Sequence, residues 1–401
     1  MENEKKVPKS ELDNRMARFL GEMDKAYEKW ELCAIAGALS LFYLTGTISD
    51  GVLMIRRGGE SVLWIRRSYE RAMLESDFGD IRRMRSFRDV AEAYVGLPDT
   101  LHLDTAHVSM EWFDMLSTFM PFKNVLPVEK VMLKTREVKS EYELTHIRNA
   151  GNTIRRLLKE EFPALVRGGI SEAELGTDLF ALFMKNGHHG VSRFAMRNVE
   201  MLLGHVAFGE SPLYPAVFNS ASGGIGLCPA APIMGSGDRR LREGDIIFVD
   251  VCFCIDGYNV DRTLVYSYVR QQSEHILRAH SHCLELERLA ASMLRPGVMP
   301  SEIYREVTGA VLPEFQHCFM GLPGHNAPFI GHSVGLFIDE TPVIAKGFDS
   351  PLELGMTIAI EPKICIEGAG IVGSENTYLV TEGGGESLTG SPSEIIVVGV
   401  F

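Results

Sequence analysis

The sequence predicts a two-domain α/β (α+β) protein, on three observations. The chain has 401 residues, more than one hydrophobic core usually organises. Its first third alternates helical and strand-like patterning. From Leu241 onward long apolar runs alternate with tight-turn signals.

Each element follows from its own pattern. Leu12, Met16, Leu20 and Met23 recur at helical spacing and predict an amphipathic opening helix. The apolar run Cys33–Leu44 ends in FYLTG, and β-like stretches follow at Gly51–Ile55, Ser61–Ile65 and Leu101–Asp104. They make a small domain expected to span residues 1–135, with a second over 136–401. A charged helix over Leu133–Leu158 opens the second domain, its stripe formed by Val138, Tyr142, Leu144, Ile147, Ala150 and Ile154. Ser171 and Glu174 form a capping-box signature for a helix through Met184. Further helices are expected over Ser273–Leu294 and Ile303–Leu312, and strands over Met356–Ile360, Thr377–Val380 and Ile395–Val400.

Composition narrows the function classes. Apolar residues make up 45% and charged residues 23%, as in ordinary globular proteins. The net charge of −13 and the lack of a Lys/Arg cluster argue against nucleic acid and anionic membrane as partners. Cys33–Leu44 is shorter than the roughly 20 residues of a membrane-crossing helix. Seven scattered cysteines and a polar N-terminus predict a reduced, cytoplasmic protein.

Function emerges where carboxylates interrupt apolar strands. The run Ile246–Cys254 contains Asp250, and Asp256-Gly257 is a two-residue hairpin signal before Tyr258–Tyr266. That turn sets residue 250 opposite 263 and residue 252 opposite 261. Asp250 and Asp261 become diagonal neighbours on one face. Two such carboxylates need a cation, a proton or a basic side chain between them. Further on, His332 lies in a Gly-flanked turn, Glu361 ends the apolar strand Ile358–Ile360, and Glu375 begins another strand that could return beside it. Four carboxylates and one imidazole suit two divalent ions.

The ordered set D-x10-D, GH-x-x-G, a strand-ending E-P and a later E resembles the pita-bread metallopeptidase family M24. REGDIIFVD, DGYNVDRT, GHSVGL and GMTIAIEPKI carry the likeness, and FYLTG resembles the creatinase/prolidase N-terminal domain. The resemblance implies such a front domain, then a pita-bread catalytic domain of the Xaa-Pro aminopeptidase, prolidase and creatinase branch. It implies metal ligands at Asp250, Asp261, His332, Glu361 and Glu375. Asp250 would hold one ion bidentately, Asp261 and Glu375 would bridge two, and Glu361 would also act as general base. Mn or Co suits this oxygen-rich set, with Zn or Fe as further candidates. The expected activity is hydrolysis of a short peptide at an Xaa-Pro bond by a homodimer.

The sequence departs from the family beside those ligands. Three substrate-side histidine positions read Ile233, Pro328 and Asp339, and an expected arginine reads Gly373. His325 and Asp339 are candidate substrate contacts, with His205, His188 and His189 as other available imidazoles. Cys252, on the same strand face as Asp250, is a conceivable thiolate ligand. These departures keep open a metal-dependent hydrolase or lyase of a small non-peptide substrate. A binding protein without turnover is a third reading.

Overall fold

The computed structural model describes residues 6–196, 199 and 201–399. The chain forms two compact units, Met1–Arg136 and Glu137–Phe401.

In the first unit, six strands make one sheet: β1 (Leu32–Ile35), β2 (Asp50–Arg56), β3 (Ser61–Arg67), β4 (Ile81–Arg83), β5 (Thr100–Leu103) and β6 (Asn124–Pro127), in the order β4-β3-β2-β1-β5-β6. β1, β2 and β3 pair antiparallel, whereas β4, β5 and β6 join parallel, each reached through a helix. Val52, Met54, Val62 and Trp64 put alternate side chains on one face, where they join Phe87, Leu101 and Leu116 in the core. The apolar run Cys33–Leu44 divides into two elements, β1 and, after Gly37, a helix over Ala38–Thr45.

The second unit carries β7 (Gly204–Phe208), β8 (Ile246–Ile255), β9 (Tyr258–Tyr268), β10 (Phe329–Ser333), β11 (Glu340–Ala345), β12 (Thr357–Ile360), β13 (Lys363–Ile366), β14 (Gly370–Gly373), β15 (Glu375–Thr381), β16 (Gly384–Ser387) and β17 (Ile396–Val398). Its main sheet runs β11-β10-β12-β15-β9-β8-β7, with β16 on β15 and β17 on β9, while β13 and β14 form a separate hairpin. The helices Glu274–Met293 and Pro300–Ala310 bury Cys283, Leu286, Ile303 and Val307 in a core shared with Phe248, Ile358 and Ile360. That burial gives the strands below them a rigid backing.

Local chemistry explains one departure from the expected elements. The charged stretch 133–158 is two helices, Glu129–Glu137 and Glu141–Arg156. Between them Val138 bridges to Met356, and the Lys139 amide donates to Gly355 O at 3.0 Å. Ser140 then restarts the helix through a capping box with Glu143. The expected capping box of Ser171 with Glu174 opens the helix Glu172–Lys185.

The β8–β9 hairpin has the expected register, Asp250 opposite Thr263 and Cys252 opposite Asp261. Asp256 and Gly257 both take positive φ, 49° and 95°, as a two-residue turn of this twist requires. His332, expected in a turn, lies instead on β10, paired with Ala359 of β12. The sheet, rather than a loop, therefore aims its imidazole.

His188 anchors β8 from behind. It is buried against Phe183 and Phe253, its Nδ1 accepts the Cys254 amide at 3.0 Å, and its Nε2 donates to Leu202 O at 3.2 Å. Burial lowers its pKa to about 4. A folded pKa below the ordinary 6.5 means the unfolded chain binds the extra proton. Its stability contribution is therefore full above pH 6.5 and lost as pH falls through 4. Between pH 7.5 and 5 this amounts to about 2 kcal/mol. Urea unfolding of wild type and His188→Gln at both pH values is expected to show that smaller pH dependence in the variant. Identical pH slopes would remove His188 as the cause.

Candidate metal centre

Five strand-borne side chains converge on one cavity of about 330 Å³. Asp250 comes from the middle of β8, Asp261 from β9 and His332 from β10. Glu361 follows the end of β12, and Glu375 opens β15. Thr263 stands opposite both Asp250 and Glu375 in register, so β9 holds its two neighbours at a set spacing. Thr377 locks the same strands together, accepting from the Asp261 amide at 2.9 Å and donating to Asp261 O at 3.1 Å. The Glu361 amide donates to Ile330 O at 2.9 Å, which ties that strand end to β10.

The backbone orients His332. Its Nδ1 lies 3.2 Å from Ser333 O, a carbonyl that can only accept, so Nδ1 donates there and Nε2 is the nitrogen turned toward the carboxylates. Nε2 stands 3.5 Å from Glu361 Oε1.

One residue that sequence reasoning passed over stands among the carboxylates. Lys363, the first residue of β13, is 1% exposed and donates to Asp250 Oδ2 at 3.0 Å, Glu361 Oε2 at 2.7 Å and Glu375 Oε2 at 3.0 Å. Its signal was present: a lone lysine in Ile358–Ile366, beside a strand-ending carboxylate, has no apolar reason to be buried. Burial disfavours the ammonium, but Asp250, Glu361 and Glu375 hold it charged well above the usual lysine range.

The carboxylates respond in opposite directions. Burial pushes Asp250 up, yet Lys363, His205 and the Thr263 hydroxyl outweigh it and hold its pKa at about 2. Asp261 rises to about 7, from burial and then from the neighbouring Asp250. Glu375 is raised well above its usual value, by burial and then by Asp261. The groups near Lys363 are only partly compensated by it.

That residual charge fits a divalent ion. Ligand atoms of Asp261, His332 and Glu375 lie within 4.8 Å of one another. Glu375 Oε1 is buried with no hydrogen-bond partner among the described residues, an arrangement costly to leave unmatched. Oxygen donors with one imidazole suit a first-row divalent metal. Asp250 differs from the expected bidentate ligand. Its Oδ1 is 2.9 Å from Thr263 Oγ1, and its Oδ2 takes both Lys363 and Ser222, the latter at 3.1 Å.

Other expected site residues separate. Asp339 lines the cavity, but its carboxylate accepts the amides of Ala195 at 2.6 Å and Met196 at 3.2 Å. It therefore holds a wall segment. His325 is exposed and lies against a different depression, beside Tyr214 and Cys365, because its loop turns away from β10. Cys252 lines the cavity as a thiol; burial raises its pKa well above the usual value, and Sγ donates to Ser192 Oγ at 3.0 Å. His188 is structural.

His205 enters the cavity from β7, directly opposite Asp250 in register. Its Nδ1 is 3.1 Å from Ser222 Oγ, which in turn donates to Asp250 Oδ2. Burial lowers the imidazole pKa, against the opposing pull of Asp250. The rest of the wall is mostly apolar, with Phe194, Met201, Phe218, Phe329, Ile338 and Val343 beside the polar Asn219 and Ser220. Gly373 admits no side chain, since a Cβ there would fall 2.5 Å from Pro362 O.

The sequence profile of metallopeptidase family M24 matches residues 145–382, and that of the creatinase/prolidase N-terminal domain matches residues 15–138. A probable dipeptidase PepE of Mycobacterium tuberculosis is 32% identical over 279 residues, 69% of this chain and 65% of that protein. The match thus spans just under two thirds of that relative's length. An Xaa-Pro dipeptidase of Pyrococcus furiosus is 25% identical over 371 residues, 90% of this chain and 94% of that protein. The solved Xaa-Pro dipeptidase of Bacillus anthracis superimposes with a TM-score of 0.81 at 21% identity, covering 96% of this chain and 100% of that one. At that identity the likeness speaks for the fold, a two-part architecture with a pita-bread second unit.

Alanine at Asp261 or at Glu375 is expected to abolish Mn or Co binding in isothermal titration. Full stoichiometry in both variants would remove the pair from the ligand set.

Proposed function

The chain belongs to metallopeptidase family M24, and from that premise we propose that it is a metal-dependent peptidase hydrolysing short peptides at an Xaa-Pro bond. The observation that carries the reading is the convergence of Asp250, Asp261, His332, Glu361 and Glu375 on one cavity wall. The dipeptidase and Xaa-Pro dipeptidase names of its relatives support the substrate class.

A divalent ion, Mn or Co by the donor chemistry, supplies polarisation of the scissile carbonyl and a water of lowered pKa when bound. Asp261, His332 and Glu375 would hold it. Glu361 takes the proton of the attacking water. Its Oε2 is held by Lys363, which leaves Oε1, on the His332 side, as the accepting atom. His205 does the work of the absent substrate-side histidines. With Nδ1 facing Ser222 Oγ, its Nε2 is the ring nitrogen left for the substrate and orients the peptide, while the proton that Glu361 takes from the water passes on to the leaving nitrogen. The apolar walls formed by Phe218, Phe329 and Val343 receive a proline ring or an apolar side chain and exclude water.

We read the protein as a cytoplasmic homodimer. All seven cysteines are free, and no described helix is long and apolar enough to cross a membrane. Sedimentation analysis tests the dimer.

Metal-free protein given a panel of Xaa-Pro dipeptides and tripeptides is expected to turn them over only after Mn or Co is added. Bound metal without cleavage across the panel would overturn the Xaa-Pro assignment. His205→Phe keeps an aromatic ring against Phe218 and is expected to lower kcat about 10²–10³-fold at unchanged metal content. Unchanged kcat would exclude His205 from the reaction.

A further inference from the structure

We propose that Lys363 is a resident cation standing where a second divalent ion would otherwise sit, so that this centre takes one ion rather than the expected pair. The proposal rests on the metal-dependent reading above and concerns how many ions the site admits.

The geometry of Asp250 is the first support. A carboxylate that chelates an ion must present both oxygens to it. Here Oδ1 faces Thr263 Oγ1, and Oδ2 faces Ser222 Oγ and Lys363 Nζ. Both oxygens thus have protein partners, and Oδ2, with two, is the one taken up by the lysine. Lys363 is equally committed, because an ammonium has three donors and each meets a different carboxylate, Asp250, Glu361 and Glu375.

Glu375 is the second support, since it is divided between two kinds of partner. Its Oε2 takes Lys363 and lies 3.0 Å from Thr263 Oγ1. Its Oε1 has no hydrogen-bond partner among the described residues, and Glu375 belongs to the Asp261–His332–Glu375 cluster. One oxygen thus serves the lysine and the other remains for an ion. The carboxylate bridges an ammonium and a metal as it would bridge two metals.

The backbone makes room for this arrangement. Lys363 pairs in register with Gly373 across the β13–β14 hairpin. A Cβ at Gly373 would fall 2.9 Å from Lys363 Cγ, and its φ of 156° lies in the region that favours glycine. Phe248 supports the ammonium from below, with its ring centroid 5.9 Å from Nζ. The stem is buried, and the ammonium meets three carboxylates at the cavity wall.

Charge balance favours one ion. Fully ionised, Asp250, Asp261, Glu361 and Glu375 would carry four negative charges, which Lys363 reduces to about three and one divalent ion to about one. A second dication would have to share Asp250 with the ammonium at contact distance.

The test is metal stoichiometry on the full chain, loaded with excess Mn, desalted and analysed by inductively coupled plasma mass spectrometry and Mn electron paramagnetic resonance. Wild type is expected to hold one ion per chain with the six-line spectrum of an isolated Mn(II). Lys363→Met is expected to hold two ions, with an exchange-coupled spectrum. Asp250→Asn is expected to keep the single ion. Two ions in wild type, one ion in a folded Lys363→Met, or loss of the ion in Asp250→Asn would each overturn the proposal. If Lys363→Met fails to fold, the wild-type and Asp250→Asn counts decide it. Peptide cleavage read in parallel separates the two readings. One ion without Xaa-Pro cleavage removes the substrate assignment and leaves the lysine in place; two ions with cleavage does the reverse. A wild type that binds no ion overturns both.

Discussion

Four buried carboxylates within reach of one another are the constraint around which the second unit is built. Asp250, Asp261, Glu361 and Glu375 each cost free energy to desolvate, and their mutual repulsion adds to it. Protons or positive charge must make such a cluster compatible with a folded chain. Lys363 provides part of that charge from inside the protein, and the oxygen it leaves unpartnered on Glu375 suits a divalent ion. The opposite displacements of Asp250 and Asp261 record how unevenly the lysine distributes its compensation.

Holding these groups together requires a framework that does not yield. Asp250, Asp261, His332 and Glu375 lie on strands of one sheet and Glu361 directly follows another, so their separations are set mainly by strand spacing and register. Thr263 and Thr377 tie β8, β9 and β15 at the level of the carboxylates. The two helices packed over Phe248, Ile358 and Ile360 stop the sheet from relaxing away from its own charge. Stability and site geometry therefore draw on the same contacts.

The cavity beside this charge is mostly aromatic and aliphatic, with His205, His332, Asn219 and Ser220 as polar groups besides the carboxylates and Lys363. A low-polarity wall strengthens each electrostatic contact inside it and favours a substrate with an apolar side chain or ring. Asp339 contributes indirectly, by gripping the amides of Ala195 and Met196 that shape one wall. The positions where relatives are expected to carry histidines do not leave the pocket without an imidazole. One arrives from another strand.

What the sequence determined by itself was local or periodic. The alternation of Ile246–Cys254 and the Asp256-Gly257 turn dictated that Asp250 would face Thr263 and Asp261 would face Cys252, because side-chain direction in a tight hairpin follows from counting residues. Glu361 and Glu375 were legible as carboxylates at the ends of apolar strands, and Ser171 as a cap through its spacing to Glu174. The placement of Lys363 and His205 depended on contacts with no sequence period. Lys363 reaches residues from 2 to 113 positions away along the chain, and His205 meets Asp250 through the pairing of β7 with β8. His325, nearer the metal-site histidine in sequence, turns out to face elsewhere. Residue spacing encodes which way a strand points its side chains, but only the assembled sheet decides which distant charge arrives to meet them.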